Sequence, residues 1–246
     1  MAVIELDEPA APAAMTLVEH LSELRRRLVV ACAAIAVGAV VAFLVYNRIL
    51  GFLVHPYCQI RHGDCRLFVQ SPLDGFATRL KIAGYGGLML ASPVVVWQVW
   101  RFITPGLHKQ EKRYAVPFIV AATALFFVGV VLAYVTFPKA LQFLIGIGGN
   151  NIEQIFSPKD YVSFFVKVML AFGFAFEFPV VLVFLELVRV VSSSRLSSWR
   201  RPAIVIIVAA AAIITPSQDP YSLFAMAIPM YVFYELSILA GRLLKR

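Results

Sequence analysis

Charge is scarce in this chain. Asp, Glu, Lys and Arg make up only 15% of its 246 residues, whereas 61% are hydrophobic. Soluble domains carry about 25% charged residues, so this composition excludes that class and points to a membrane protein. Acids are the scarcer sign, 14 against 22 basic residues, for a net charge of +8. Three cysteines are too few for a disulfide-built scaffold. The four histidines, His20, His55, His62 and His108, all fall outside the apolar runs. That leaves a membrane enzyme without the nucleophile, base or metal constellation it would need. No internal repeat is visible, which weakens a transporter built from inverted repeats.

Long uncharged runs are what the chain does have. Leu28 to Asn47, Ile82 to Trp100, Tyr114 to Pro138 and Val168 to Val188 are each long enough to cross about 30 Å of hydrocarbon, the last interrupted by Glu177 and Glu186. Pro202 to Gln218 holds a shorter apolar core, Pro202 to Ile214, before the breaker "TPSQDP", and Tyr221 to Tyr234 stops at Glu235. At 1.5 Å per residue either core reaches only about 20 Å. The expected fold is therefore an all-α membrane protein with six transmembrane helices, the last two short. The expected shape is a cupped bundle with an N-terminal interfacial helix. Residues 1–14 are expected to be a disordered tail, 15–242 the six-span unit and 243–246 a basic tail.

Basic residues set the orientation. Arg25 to Arg27, then Arg101, Lys109, Lys112 and Arg113, then Arg189, Arg195, Arg200 and Arg201, and finally Arg242, Lys245 and Arg246 alternate onto one side. Both termini are thus expected on the cytoplasmic side of a cytoplasmic membrane. This asymmetry uses up the positive charge, so no nucleic-acid partner is inferred. The first run, at about 20 residues, is too long for the apolar core of a signal peptide.

Cys58 and Cys65 in "HPYCQIRHGDC" fall on the outer side, where oxidation is permitted. A disulfide there is the favoured reading and would contribute about 2.5 kcal/mol. His55 and His62 interleave with them, so a metal site is the weaker alternative. Cys32 is expected to pack within the first span.

The other side opens with "TLVEHLSELRRRL", where Thr16 and Glu19 form a capping box and Leu17, Leu21, Leu24 and Leu28 recur at helical spacing. The spacing predicts an amphipathic helix lying on the inner membrane surface and running into the first span. Periodicity alone favours a plain pair between Glu23 and Arg27, four residues on. In "RFITPGLHKQEKR", Pro105-Gly106 makes a turn and Glu111 is the one acid among basic residues, by itself the pattern of a solvated charge run.

Taken together and in order, "EHLSELRRRL", "WRFITPGLHKQEKR", "FGFAFEFP", "TPSQDPYS" and "AIPMYVFYE" resemble the TatC family, the large integral-membrane subunit of the twin-arginine protein translocase. The resemblance covers Met15 to Arg242. It implies a cytoplasm-facing receptor for signal peptides bearing consecutive arginines. Such a receptor works in an oligomeric complex with single-span TatA/TatB-type subunits and exports folded proteins on the proton-motive force, with no cofactor. It further implies a signal-peptide site at Glu23 and Glu111, with Arg25, Phe102 and Pro105 matching family positions, an intramembrane polar position at Glu177 and an outer-loop acid at Asp219. The cysteine-bearing loop departs from the family pattern. Chemistry agrees with the site independently: a guanidinium presents a planar fork of donors, so two adjacent arginines call for two acids held apart on one face.

Glu177 lies near the midpoint of its span, one turn after Gly173 and two residues before Pro179. An ionised side chain at that depth costs at least about 2.5 kcal/mol. The preferred reading has it facing a concave, partly hydrated surface and contacting a partner helix, with a neutral acid buried by a helix–helix hydrogen bond as the alternative. A secondary transporter or proton channel would also use a mid-membrane Glu, but would add further intramembrane acids, and Glu186 and Glu235 fall near span ends.

Overall fold

The first helix, α1, runs unbroken from Leu17 to Leu44. The structure is a computed structural model and describes residues 17–60, 67–103, 115–149, 156–187 and 189–244. Nine helices and no strand occur among the described residues. No Pro lies anywhere in α1 and no Gly precedes Gly38, so nothing interrupts its hydrogen-bond ladder. The N-terminal amphipathic segment thus runs into the first span without a break, as expected. Surface segment and span are one helix.

Next comes α2, Tyr46–Ile60, a helix where a loop is expected between the first two apolar runs. Its Pro56 hides it, because proline removes the donor for the carbonyl four residues back. That carbonyl, of Phe52, instead accepts from the Tyr134 hydroxyl at 3.2 Å, and the Leu53 carbonyl accepts from the Tyr161 hydroxyl at 2.9 Å. The long helices α3, Asp74–Ile103, and α4, Ala115–Ile147, follow. Within α3 the same problem recurs at Pro93 and is met locally: the Ser92 hydroxyl donates to the Met89 carbonyl at 2.8 Å.

The fourth expected span is two helices, α5, Pro158–Ala175, and α6, Phe178–Leu187, separated by a turn at Phe176 and Glu177. Pro179 supplies the reason, since it cannot donate to the Ala175 carbonyl and so ends the ladder there. A short α7, Ser193–Ser198, leads to α8, Arg200–Ile214, and to α9, Pro220–Leu244.

Among the described residues, five stretches are long and apolar enough to cross a membrane: Val18–Leu44, Asp74–Phe102, Val116–Ile147, Pro158–Leu187 and Pro220–Leu243. The expected sixth, α8, has 15 residues and reaches about 22 Å. Contrary to expectation the last helix is not short, for its 25 residues continue through Glu235. Arg200 grips that carboxylate with two hydrogen bonds of 2.8 Å and the Tyr231 hydroxyl adds a third at 3.2 Å, so the charge no longer marks a helix end.

Glycines decide how closely the helices approach. A Cβ on Gly87 of α3 would lie 2.6 Å from the Ala39 nitrogen of α1, and one on Gly38 would lie 2.8 Å from the Gly87 carbonyl oxygen. Between α4 and α5, a Cβ on Gly129 would lie 2.5 Å from the Phe172 oxygen, and one on Gly173 2.7 Å from the Phe126 ring. Such contacts matter in lipid, where apolar burial does not drive helices together. Around the second crossing lies the main core, with Phe126, Phe137, Phe165, Phe172 and Phe176 all buried.

The bundle has two chemically distinct ends. At the loop end, the buried carboxylate of Asp74 accepts from the Gln70 and Ser71 amides and pairs with Lys159 at 2.9 Å, tying α3 to α5. Phe156 accepts a backbone bond there from Phe68 at 3.2 Å. Cys58, in the last turn of α2, is half-buried and disulfide-bonded, and Cys32 is an exposed free thiol. Cys65 lies outside the described residues. The basic end carries the start of α1, the end of α3, α7 and the end of α9.

Two substitutions of one kind should have opposite effects. Gly84→Ala adds a methyl where nothing lies within 4 Å and should raise the melting temperature of the purified protein in detergent, the helix gaining about 1 kcal/mol. Gly87→Ala should lower it, because overpacking against α1 costs about 1–3 kcal/mol.

Candidate functional site

At the basic end, the ring of His20 in the second turn of α1's described segment stacks on Phe102 in the last turn of α3, centroids 4.5 Å apart and planes 26° from parallel. The stack joins the two segments that the sequence singled out. Glu23 follows three residues after His20 on the same helical face. Its Oε1 takes both Arg27 contacts, one from Nε at 3.1 Å and one from a terminal guanidinium nitrogen. The plain pair favoured by periodicity is thus present.

It leaves the carboxylate half used. Glu23 Oε2 is buried and has no hydrogen-bond partner among the described residues. An enclosed acceptor without a donor is unfavourable by about 1–3 kcal/mol and is an opening for an incoming N–H group. Arg25, two residues on, is exposed. Pro105 and Glu111 lie outside the described residues, on the segment that leaves Phe102. His20 and Arg27 were not singled out as site residues, although His20, Glu23 and Arg27 at i, i+3 and i+7 share one helical stripe. Behind this face Trp100 stacks on Phe118 at 5.3 Å and meets Phe184 edge-on at 5.1 Å, fixing the ends of α3 and α6 to the start of α4.

Glu177 occupies the turn between α5 and α6, away from that face. It is half-buried, and its Oε1 is enclosed without a hydrogen-bond partner among the described residues. Because the residue sits on a turn, helical periodicity does not assign it a face. Beside it, Gly173 admits the Phe126 ring, 2.7 Å from where a Cβ would lie. No helix–helix hydrogen bond of the kind first weighed is formed to that oxygen among the described residues.

Asp219 is at a third place, the α8–α9 turn, and is only 1% exposed. Its Oδ1 accepts from the Ser222 amide at 2.8 Å and caps α9. Gln218 just before it adopts a left-handed φ of 48°, the backbone reversal that the short turn requires.

A family model described as Sec-independent protein translocase protein (TatC) matches residues 19–229. Curated relatives of that description include one from Frankia casuarinae, 39% identical over 238 residues, which covers 92% of this chain and 65% of the relative. One from Aquifex aeolicus is 37% identical over 235 residues, covering 94% of this chain and 97% of the relative. Among solved structures, a crystal structure of the twin arginine translocase receptor TatC aligns with a TM-score of 0.75 at 37% identity, covering 93% of this chain and 100% of that one.

Glu177→Leu replaces an enclosed, unpartnered carboxyl oxygen by apolar surface. It should therefore raise the stability of the purified protein by about 1–3 kcal/mol, read as a higher melting temperature in detergent. Glu177→Gln, which keeps the polar burden, should change it little.

Proposed function

Because the chain belongs to the TatC family of Sec-independent protein translocase proteins, we propose that it is the membrane receptor of the twin-arginine translocase and that Glu23 and Glu111 take the consecutive arginines of its signal peptides. The family's part in the translocase is non-enzymatic, so the chemistry to be explained is recognition. One observation carries the reading: the His20–Phe102 stack sets a carboxylate with a free, enclosed oxygen beside the point where the segment bearing Pro105 and Glu111 departs. An arginine N–H directed at Glu23 Oε2 would form a charge-assisted bond without first displacing Arg27. Arg25 and Phe102 frame the approach, and surrounding positive charge repels basic segments that lack a fork to match the acids.

In this reading the basic end faces the cytoplasm, both termini lie there, and the protein resides in the cytoplasmic membrane. With α8 counted as a sixth span, its reach of about 22 Å against about 30 Å of hydrocarbon thins the bilayer or recruits single-span TatA/TatB-type subunits. Glu177 offers those subunits a polar contact at mid-depth, and export draws on the proton-motive force. A Cys58–Cys65 bridge pins the outer loop, near the loop end that Asp219 and its cap also stabilise. A proton-coupled transporter would use Glu177 too, but it leaves the acids of the basic end without a role.

Signal-peptide affinity in nanodiscs tests the proposal. Glu23→Ala or Glu111→Ala should each weaken a twin-arginine peptide about tenfold, the worth of one charge-assisted hydrogen bond. A twin-lysine peptide should bind the unaltered protein weakly and lose little more in either variant. Equal arginine-peptide affinity in all proteins would remove both acids from the site. For Glu177, the leucine variant that is expected to be more stable should export less cargo, and normal export would leave the residue with a packing role only.

A further inference from the structure

Two cavities at the basic end share one residue, Arg242. The first, of about 610 Å³, is open to the surface and lined by Ser193, Ser194, Ser197, Ser198 and Arg242, between α7 and the end of α9. The second, of about 420 Å³, begins at Arg242 and follows α9 back past Leu239, Leu236 and Val232 to Tyr231. One is hydroxylic and cationic, the other is mostly apolar. From Arg242 to Tyr231 the helix rises about 16 Å, so the pair forms a polar head and an apolar groove in line along the last span.

The polar head has donors to give. Arg242 donates to the Ser197 hydroxyl at 3.1 Å and forms no ion pair among the described residues. Ser193 is 3% exposed, and its hydroxyl is enclosed without a hydrogen-bond partner among the described residues. The nearby acids do not fill the cradle: Glu235 is held bidentately by Arg200, and the Glu186 carboxyl packs against Gly241. Arg195 is exposed on the same short helix and adds to the positive potential.

We infer that these cavities hold one anionic phospholipid, its phosphate in the Ser193–Ser197–Arg242 cradle and an acyl chain in the groove along Leu239, Leu236 and Val232. A guanidinium and serine hydroxyls match phosphate oxygens, and basic pockets between helices at the membrane boundary suit anionic head groups. The apolar continuation is what distinguishes a lipid from free phosphate. Net charge distinguishes anionic from zwitterionic lipid, because Glu235 is already engaged by Arg200 and Glu186, only 4% exposed, is enclosed away from a choline ammonium. The site is separate from Glu23 and independent of the signal-peptide reading.

Native mass spectrometry of the full chain in detergent, titrated with phosphatidylglycerol or phosphatidylcholine, tests this. One phosphatidylglycerol should be held about tenfold tighter than phosphatidylcholine. Arg242→Gln should abolish that preference, Arg242→Lys should keep most of it with the fold equally stable, and Arg48→Gln, on α2, should change nothing. Phosphatidylglycerol held no tighter than phosphatidylcholine, or held equally by Arg242→Gln, overturns the proposal. Displacement of the lipid by millimolar inorganic phosphate overturns it too, in favour of a free-phosphate site. Signal-peptide affinity of Arg242→Gln should match that of the unaltered protein, so the two readings can fail separately.

Discussion

Hydrocarbon supplies no hydrogen bonds, and each polar group placed in it must find a partner inside the protein or remain unfavourable by several kcal/mol. At two prolines inside this chain's helices, the partner is at hand. Pro56 frees a carbonyl that Tyr134 meets from another helix, and Pro93 frees one that Ser92 meets from the next residue back. Buried Asp74 is bound by two amides and Lys159. Glu235, deep enough to look like a helix end, is neutralised by Arg200.

Enclosed oxygens without a hydrogen-bond partner among the described residues remain on Glu23 and Glu177, as they do on Asp219 and on Ser193, Ser217 and Ser222. An oxygen of this kind can take a donor from outside the chain: in the proposed function, a guanidinium at Glu23 and a polar group of a neighbouring helix at Glu177. Stability would improve if the unpartnered Glu177 carboxyl were removed, which is the pattern expected where a residue is kept for a contact and not for the fold. Arg27 engages one oxygen of Glu23 and leaves the other without a partner among the described residues, on a face crowded with cations.

Rigidity of these positions traces to small residues. Backbone contact at Gly38 and Gly87, and again at Gly129 and Gly173, lets α1 meet α3 and α4 meet α5 closely enough for dispersion to hold them, the main attraction between helices in lipid. The first crossing fixes the direction of α1, and so sets His20 on Phe102 at the end of α3. The second packs Phe126 over Gly173 and leaves Glu177 on a turn with one oxygen enclosed.

Much of this was legible in the residues alone. Apolar length located four of the spans, because crossing about 30 Å of hydrocarbon imposes a minimum that local sequence must meet. The pairing of Glu23 with Arg27 followed from helical spacing, which is local geometry. Breaks and continuations were another matter. Pro56 read as a loop signal and Glu235 as a helix end because their compensating partners, Tyr134, Tyr161 and Arg200, are tens of residues or more away in the chain. The break at Glu177, by contrast, had its cause two residues away in Pro179, yet nothing local says whether a proline kinks a helix or divides it, since that depends on the helices packed around it. Likewise the stack of His20 on Phe102 and the meeting of two cavities at Arg242 join segments with no sequence relation, so only the folded arrangement could bring them together.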